Sequence, residues 1–346
     1  MDCAPDYFTP AGRHYQKLRD EMVDRLWSRQ GHSAMLRSSV ARSLLTGIAM
    51  TGLWIAALSP AEAVENGQSP YLKGFRDFGS GVLPKPGVLI RNDLYIYSGK
   101  DNSNIPQGKL AAALHSYAEI LSATVITPYQ IWGGNYAFAI RGAESHLYAD
   151  RSITTAKGTS TRNGKLTSFN DIVINPFIVG WHNGNWHWNV VTTVWLPSGD
   201  YDSTRLVNTG KNYWAWSPQF AATYFDPKSG WEVSGALSYV INSENPTTHY
   251  RSGNILHLDM AVGRMLAPGF TLGMAGYVVE QLTDDGGSGD TIGPRRAQVF
   301  GLGPAARIRL NSGAVPVTLV VKYAREFAAQ NTTEGDSANL SLRIKF

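Results

Sequence analysis

Cysteine is nearly absent from these 346 residues: Cys3 is the one example, and it precedes the region that reads as exported. No disulfide framework or thiolate metal site can therefore form in the remainder. Charge is also sparse. Only 17% of residues are charged, the formal net charge is +4, and Lys and Arg are scattered rather than clustered. That leaves no electrostatic footprint for nucleic acid, which is not expected as a partner. Long apolar runs are missing too. After residue 63 no stretch holds 18 consecutive apolar residues, so helical membrane spans are not expected. Catalytic signatures are equally lacking. His115, His146, His182, His187, His249 and His257 show no HExxH or other metal spacing, and no H-x-S pair occurs. No enzymatic activity, cofactor or metal is expected.

What is present begins with an export signal. Arg37 and Arg42 form a positive region, 44–58 is apolar, and Ala61-Glu62-Ala63 follows the helix breaker Pro60. These are the three parts of a secretory signal in order. The apolar run is about 15 residues, short of the ~20 that a helical span needs. Residues 35–63 are thus expected to be a signal peptide of Sec type, and 1–34 a non-native upstream extension, with the true start at Met35.

The mature chain is dominated by segments with apolar residues at every second place. Trp231, Val233, Leu237, Tyr239 and Ile241 share one face, with Glu232, Ser234, Ser238 and Asn242 on the other. Val315, Val317, Leu319, Val321 and Tyr323 alternate with Pro316, Thr318, Val320 and Lys322. Period two means strand, with one face in an apolar and one in a polar medium. About twelve such segments run from 87–98 to 337–346. Short connections at Pro128, 182–185, 226–229, 267–269 and 311–313 alternate with long polar ones, such as 149–168 and 283–295. Asn183-Gly184 and Ser312-Gly313 offer the positive φ of tight hairpins. Many strands reach 11 residues or more, beyond the roughly five or six of soluble sandwiches and lipocalin-like barrels. The fold expected is all-β: a transmembrane antiparallel up-and-down β-barrel over 87–346, in the outer membrane of a Gram-negative cell. Trp132, Trp181, Trp186, Trp188, Trp214, Trp216 and Trp231 fall near strand ends, as in an interfacial girdle; Trp195 could be either girdle or ordinary strand.

Pleating divides the charges. With Leu256, Leu258, Met260, Phe300, Leu302, Ile308 and Leu310 toward lipid, the lumen receives Glu232, His257, Asp259, Arg307, Arg309, Lys322, Arg343 and Lys345. Arg or Lys on the lipid face would cost roughly 2–4 kcal/mol at the midplane. Opposed charges across the lumen would pair and brace the barrel, orient a polar solute, or simply form a wet wall; pairing is the favoured expectation. His257 and Asp259 could also make a proton-transfer or metal pair, though two lining residues are the simpler reading. Asp284, Asp285 and Asp290 have the look of a weak Ca²⁺ loop without the terminal Glu of an EF-hand, and a solvated acidic loop fits better. Segment 64–86 carries Pro70, Pro84 and Pro86 and cannot span. Its Tyr71, Phe75 and Phe78 need burial, so a plug or a periplasmic-mouth segment is expected. At the end of the chain, Leu340, Leu342, Ile344 and Phe346 alternate with Ser341, Arg343 and Lys345. Leu342, Ile344 and Phe346 would form an assembly signal for the barrel insertion machinery.

At 66–98, and especially GFRDFGSGVLPKPG (74–87), the chain resembles the outer-membrane family named for the meta-pathway of phenol degradation. Further matches are WLPSGDYD (195–202), NYWAWSPQFAATYFDPKSGWE (212–232), YVINSENPTTHYRSG (239–253) and GYVVEQLTDDGGSGD (276–290). The resemblance implies passage of small hydrophobic or aromatic compounds across the outer membrane, with lipid and a small-molecule solute as partners. It brings no catalytic residues. The function expected is a channel or passive transporter; the alternatives are a structural or adhesive barrel without flux and, less favoured, an outer-membrane enzyme.

Overall fold

The computed structural model describes residues 69–105, 108–290, 295–310 and 315–346. The signal at 35–63, the upstream extension and the turn at 311–313 lie outside the described residues.

Hairpins build the wall in sequence order. The strands are β1 (Gly87–Ile105), β2 (Gly108–Ile131), β3 (Gly134–Thr155), β4 (Gly158–Phe169), β5 (Val173–Asn183), β6 (Trp186–Trp195), β7 (Ala215–Phe225), β8 (Trp231–Asn242), β9 (Ile255–Ala267), β10 (Phe270–Gln281), β11 (Gln298–Leu310), β12 (Val317–Gln330) and β13 (Glu334–Lys345). β3 pairs with β5 through 135–141 and with β4 through 144–155. β4 and β5 therefore occupy one stave, and twelve staves make the ring. It closes where β1 meets β13, from Leu89↔Lys345 to Lys100↔Glu334. Closure removes the unpaired strand edges that lipid cannot solvate.

Alternation decides which side each residue takes. Val233, Leu237, Leu302, Val321 and Tyr323 are exposed on the outside, whereas Glu232, Ser234 and Val320 are buried inside. Trp132, Trp186 and Trp231 stand out at the turn end of the barrel, and Trp214 and Trp216 at the loop end. Trp195 instead points inward and is buried.

Two connections differ from the sequence expectation. Pro128 is not a turn: β2 runs through it at a register shift between Ile126 and Gln130, and the chain reverses at Trp132-Gly133. A strand tolerates proline at such an irregularity because the missing N–H has no ladder partner there. The supposed loop 149–168 is a hairpin of β3 and β4. Its side chains are polar on both faces, so the period-two signal that marks a half-buried strand is silent. Strand lengths make the wall uneven. β1, β2 and β3 have 19, 24 and 22 residues; β6, for instance, has 10. Residues 69–86 form no strand and run through the lumen.

Candidate functional site

Segment 69–86 has no ladder of its own, so its backbone must find partners on the wall. From the turn end, Lys345 Nζ donates to Pro86 O (3.1 Å) and His182 Nε2 is bonded to Leu83 O (2.9 Å). Gly81 N donates to Thr223 Oγ1 (2.9 Å), Asn189 Nδ2 to Ser80 O (2.8 Å), and Gly79 N to Ser234 Oγ (3.0 Å). The approach at Gly81 is so close that a Cβ would lie 2.4 Å from His187 O and 2.5 Å from Thr223 N. Only glycine fits there, because the obstacles are backbone atoms.

Deeper in, charge takes over. Arg91 of β1 and Arg343 of β13 are direct cross-strand neighbours, a repulsive pairing. Asp77 of the inner segment sits among them. Arg343 Nη2 donates to both its oxygens (2.7 and 2.6 Å), Lys322 Nζ lies 3.4 Å away and Arg91 4.0 Å. Burial by itself would raise the Asp77 carboxyl; the charges of Arg343, Lys322 and Arg91 outweigh it and hold the group below the usual carboxylate range. Lys322 also donates to Gly74 O. Arg91 forks onto Asp93 (2.7 and 2.7 Å). Phe75 lies between Arg91 and Arg141, whose guanidinium carbons are 4.1 and 4.3 Å from its ring centre.

At the next level, Tyr71 donates its hydroxyl to Asp259 Oδ2 (2.7 Å) and stacks on His257 at 4.4 Å. Ser69 Oγ is 3.2 Å from His257 Nε2. Lys73 reaches Glu326 (2.9 Å), which also accepts from Tyr97 (2.7 Å), Tyr277 (2.9 Å) and Gly335 N (2.8 Å). Arg307 forks onto Glu232 (3.0 and 2.5 Å) across the intervening strands, and donates to Thr271 on the way. Gly263 lies between them; a Cβ there would be 2.6 Å from the Phe78 ring.

Glu232, His257, Asp259, Arg307 and Lys322 are thus buried on the lumen side, and Arg343 is half-buried there. Two expected lining residues are not in the lumen proper. Arg309 is exposed one residue from the end of β11, and Lys345 sits at the mouth against Pro86. Both keep inward parity, but the wall ends before it can cover them. Tyr71, Phe75 and Phe78 are buried, while Leu342 and Phe346 are exposed on the outside with Ile344 half-buried. The expected cross-lumen pairing is direct for Glu232 and Arg307. Asp259, Lys322 and Arg343 are instead bonded to the inner segment. Among the described residues no cluster of three His, Cys, Asp or Glu could hold a metal. Asp284 is paired with Arg296 (2.8 Å), and Asp285 accepts from Tyr250, Gly253 and Gln281.

Sequence reading missed Lys73, Arg76 and Asp77 on the inner segment, and Arg91, Asp93, Arg141 and Glu326 on the wall. The wall residues were recoverable: Arg91 and Asp93 share the parity opposite Ile90 and Ile96. Nothing in the sequence marked Asp77 as their counter-charge.

Beside the inner segment, on the β1–β3 side, is a chamber of ≈ 190 Å³. Its apolar walls include Tyr95, Tyr97, Leu114, Ile120, Val173 and Trp195. Tyr71 closes one side and Arg141 faces in.

Similar folds are known. An outer-membrane channel from Pseudomonas putida F1 superposes with a TM-score of 0.60 at 16% identity, covering 78% of this chain and 98% of that one. The translocator domain of the autotransporter NalP from Neisseria meningitidis gives 0.40 at 13%, covering 76% and 90%. A Pseudomonas aeruginosa FadL homologue gives 0.40 at 8%, covering 83% and 97%. Comparison with curated proteins gives no match. A family profile matches residues 98–342, and on that match the chain belongs to the family described as "Putative MetA-pathway of phenol degradation".

Proposed function

We propose that this chain is a passive outer-membrane channel of a Gram-negative cell for small hydrophobic or aromatic compounds, with segment 69–86 as its plug. The observation that carries the reading is the chamber: a space inside a closed barrel with a large aromatic and aliphatic surface beside polar groups such as Ser116, Asn170 and Lys211, bounded by an inserted segment rather than by the wall alone. A lumen built for salts or sugars alone would not set six apolar or aromatic side chains, Tyr95, Tyr97, Leu114, Ile120, Val173 and Trp195, around one space. The P. putida neighbour, named an outer membrane channel, supports the same assignment. No reaction is assigned to the chain. Export would use the signal at 35–63, and the outward Leu342 and Phe346 of the terminal strand would be read by the insertion machinery.

The test is flux through the purified barrel in liposomes, with and without residues 69–86. Entry of a monoaromatic compound faster than of a sugar of similar size, and raised conductance on deleting the segment, are expected. Absence of flux in both forms would leave a structural barrel; hydrolysis of lipid or ester by the same preparation would contradict the reading.

A further inference from the structure

Every charged side chain that meets the inner segment has a polar partner except one. Arg91 holds Asp93 (2.7 Å), Arg76 donates to Gln219 (3.0 Å), Lys73 to Glu326 (2.9 Å), and Lys322 and Arg343 share Asp77. Arg141, on the inward face of β3, has no hydrogen bond or ion pair among the described residues. Its guanidinium rests on the Phe75 ring and lines the chamber. Arg91 approaches the same ring, but its charge is met by Asp93, so the unmatched charge there is that of Arg141. An uncompensated cation withdrawn from water is costly, and the cost falls when an anion meets it. Guanidinium suits a planar two-oxygen anion, because its donors form a fork that matches a carboxylate.

The rest of the chamber defines what that carboxylate is attached to. Tyr95, Tyr97, Leu114, Ile120, Val173 and Trp195 offer apolar and aromatic surface, and of the two lysines that also line it, Lys73 and Lys211, the first is held by Glu326. The volume is ≈ 190 Å³; for scale, an apolar cavity of roughly 150 Å³ lined by Leu, Ile and Phe accepts benzene. One ring and a carboxylate therefore fit the space. The carboxylates at hand belong to other partners: Asp93 is engaged by Arg91, and Asp171 at the chamber rim accepts from the backbone N–H groups of Ser198, Gly199 and Lys211.

We propose that the chamber is a binding site for a small carboxylate with an apolar body of about one ring, and that Arg141 recognises the carboxylate. This rests on the channel reading for its place on a solute path, but binding can be measured without flux. The experiment is titration calorimetry on the full barrel in detergent, with benzoate and with benzyl alcohol as its neutral counterpart. Benzoate should bind at least tenfold more tightly than benzyl alcohol. Arg141→Met should abolish that preference, bringing benzoate affinity down to that of benzyl alcohol, and Arg141→Lys should retain part of it. Equal affinity for the two compounds in the wild type, or benzoate binding unchanged in Arg141→Met, would overturn the proposal. So would displacement of benzoate by chloride at equal concentration, which would make the site one for simple anions. If Arg141→Met does not assemble, Arg141→Lys against wild type carries the test, since a charge without a fork should bind benzoate more weakly. Liposome flux is read separately: flux without benzoate preference sinks this proposal alone, and benzoate binding without flux sinks the channel reading alone.

Discussion

Along β7, β8, β9, β12 and β13 the inner segment is fastened by side chains: Gln219, Thr223, Ser234, Asp259, Glu326, Lys322 and Arg343 all bond to it. Against β2 and β3 it meets the wall differently. Phe75 lies on Arg141, Leu83 packs near Ile126, Ala137 and, on β5, Ile178, and the chamber opens beside residues 69–73. Directional bonds fix a segment in one place; apolar contact tolerates movement and admits a guest. The same lumen thus has a side that positions the segment and a side that can yield space to a solute.

The sharpest way to break the contrast is to unfasten the bonded side. Asp77→Ala would leave Arg343, Lys322 and Arg91 without their shared anion. Breaking a buried pair in this way costs about 3–5 kcal/mol. A clear fall in the thermal midpoint in detergent and a several-fold rise in single-channel conductance are expected. Gly81→Ala comes next. A Cβ there meets backbone of β6 and β7, and overpacking of that kind costs roughly 1–3 kcal/mol. Conductance should rise while the barrel still assembles, since the clash can be relieved by moving the segment. Tyr71→Phe removes one bond to Asp259, worth about 1.5 kcal/mol for a charged acceptor. Because Tyr71 also borders the chamber, altered aromatic-solute flux with little change in ion conductance is expected. The smallest effect is that of pH on Asp77. Its folded carboxyl is held low, so its contribution is present above about pH 4, where the unfolded group ionises. It is lost only as pH falls through the lower folded value. The difference in thermal midpoint between wild type and Asp77→Asn should therefore stay flat from pH 7 to 5.

The bonded side was the more legible in sequence. Glu232, His257, Asp259, Arg307 and Lys322 follow from strict alternation, because a charge on the lipid face is penalised and the pleat leaves one other direction. Alternation fails where both faces are wet, which is why β4, with Thr159, Thr161 and Lys165, reads as a loop. It also cannot report how far the wall extends, and so Arg309 and Lys345 read as lining although they stand at the mouth. The partners of the lumen charges were illegible for another reason. Asp77 lies in an irregular segment with no period, and its contact with Arg343 spans 266 residues.

The seam of the ring joins the first and last strands, and it sets Arg91 directly beside Arg343. Two guanidinium groups abutting in a water-poor interior resist one another. The carboxylate that reconciles them, on Asp77, lies in the stretch just ahead of β1. A ring that shut before this stretch had entered would bring the two arginines together with Asp93, already held by Arg91, as the nearby carboxylate. Seal and filling are therefore coupled: the carboxylate carried by the inner segment lowers the cost of the strand pair that shuts the ring.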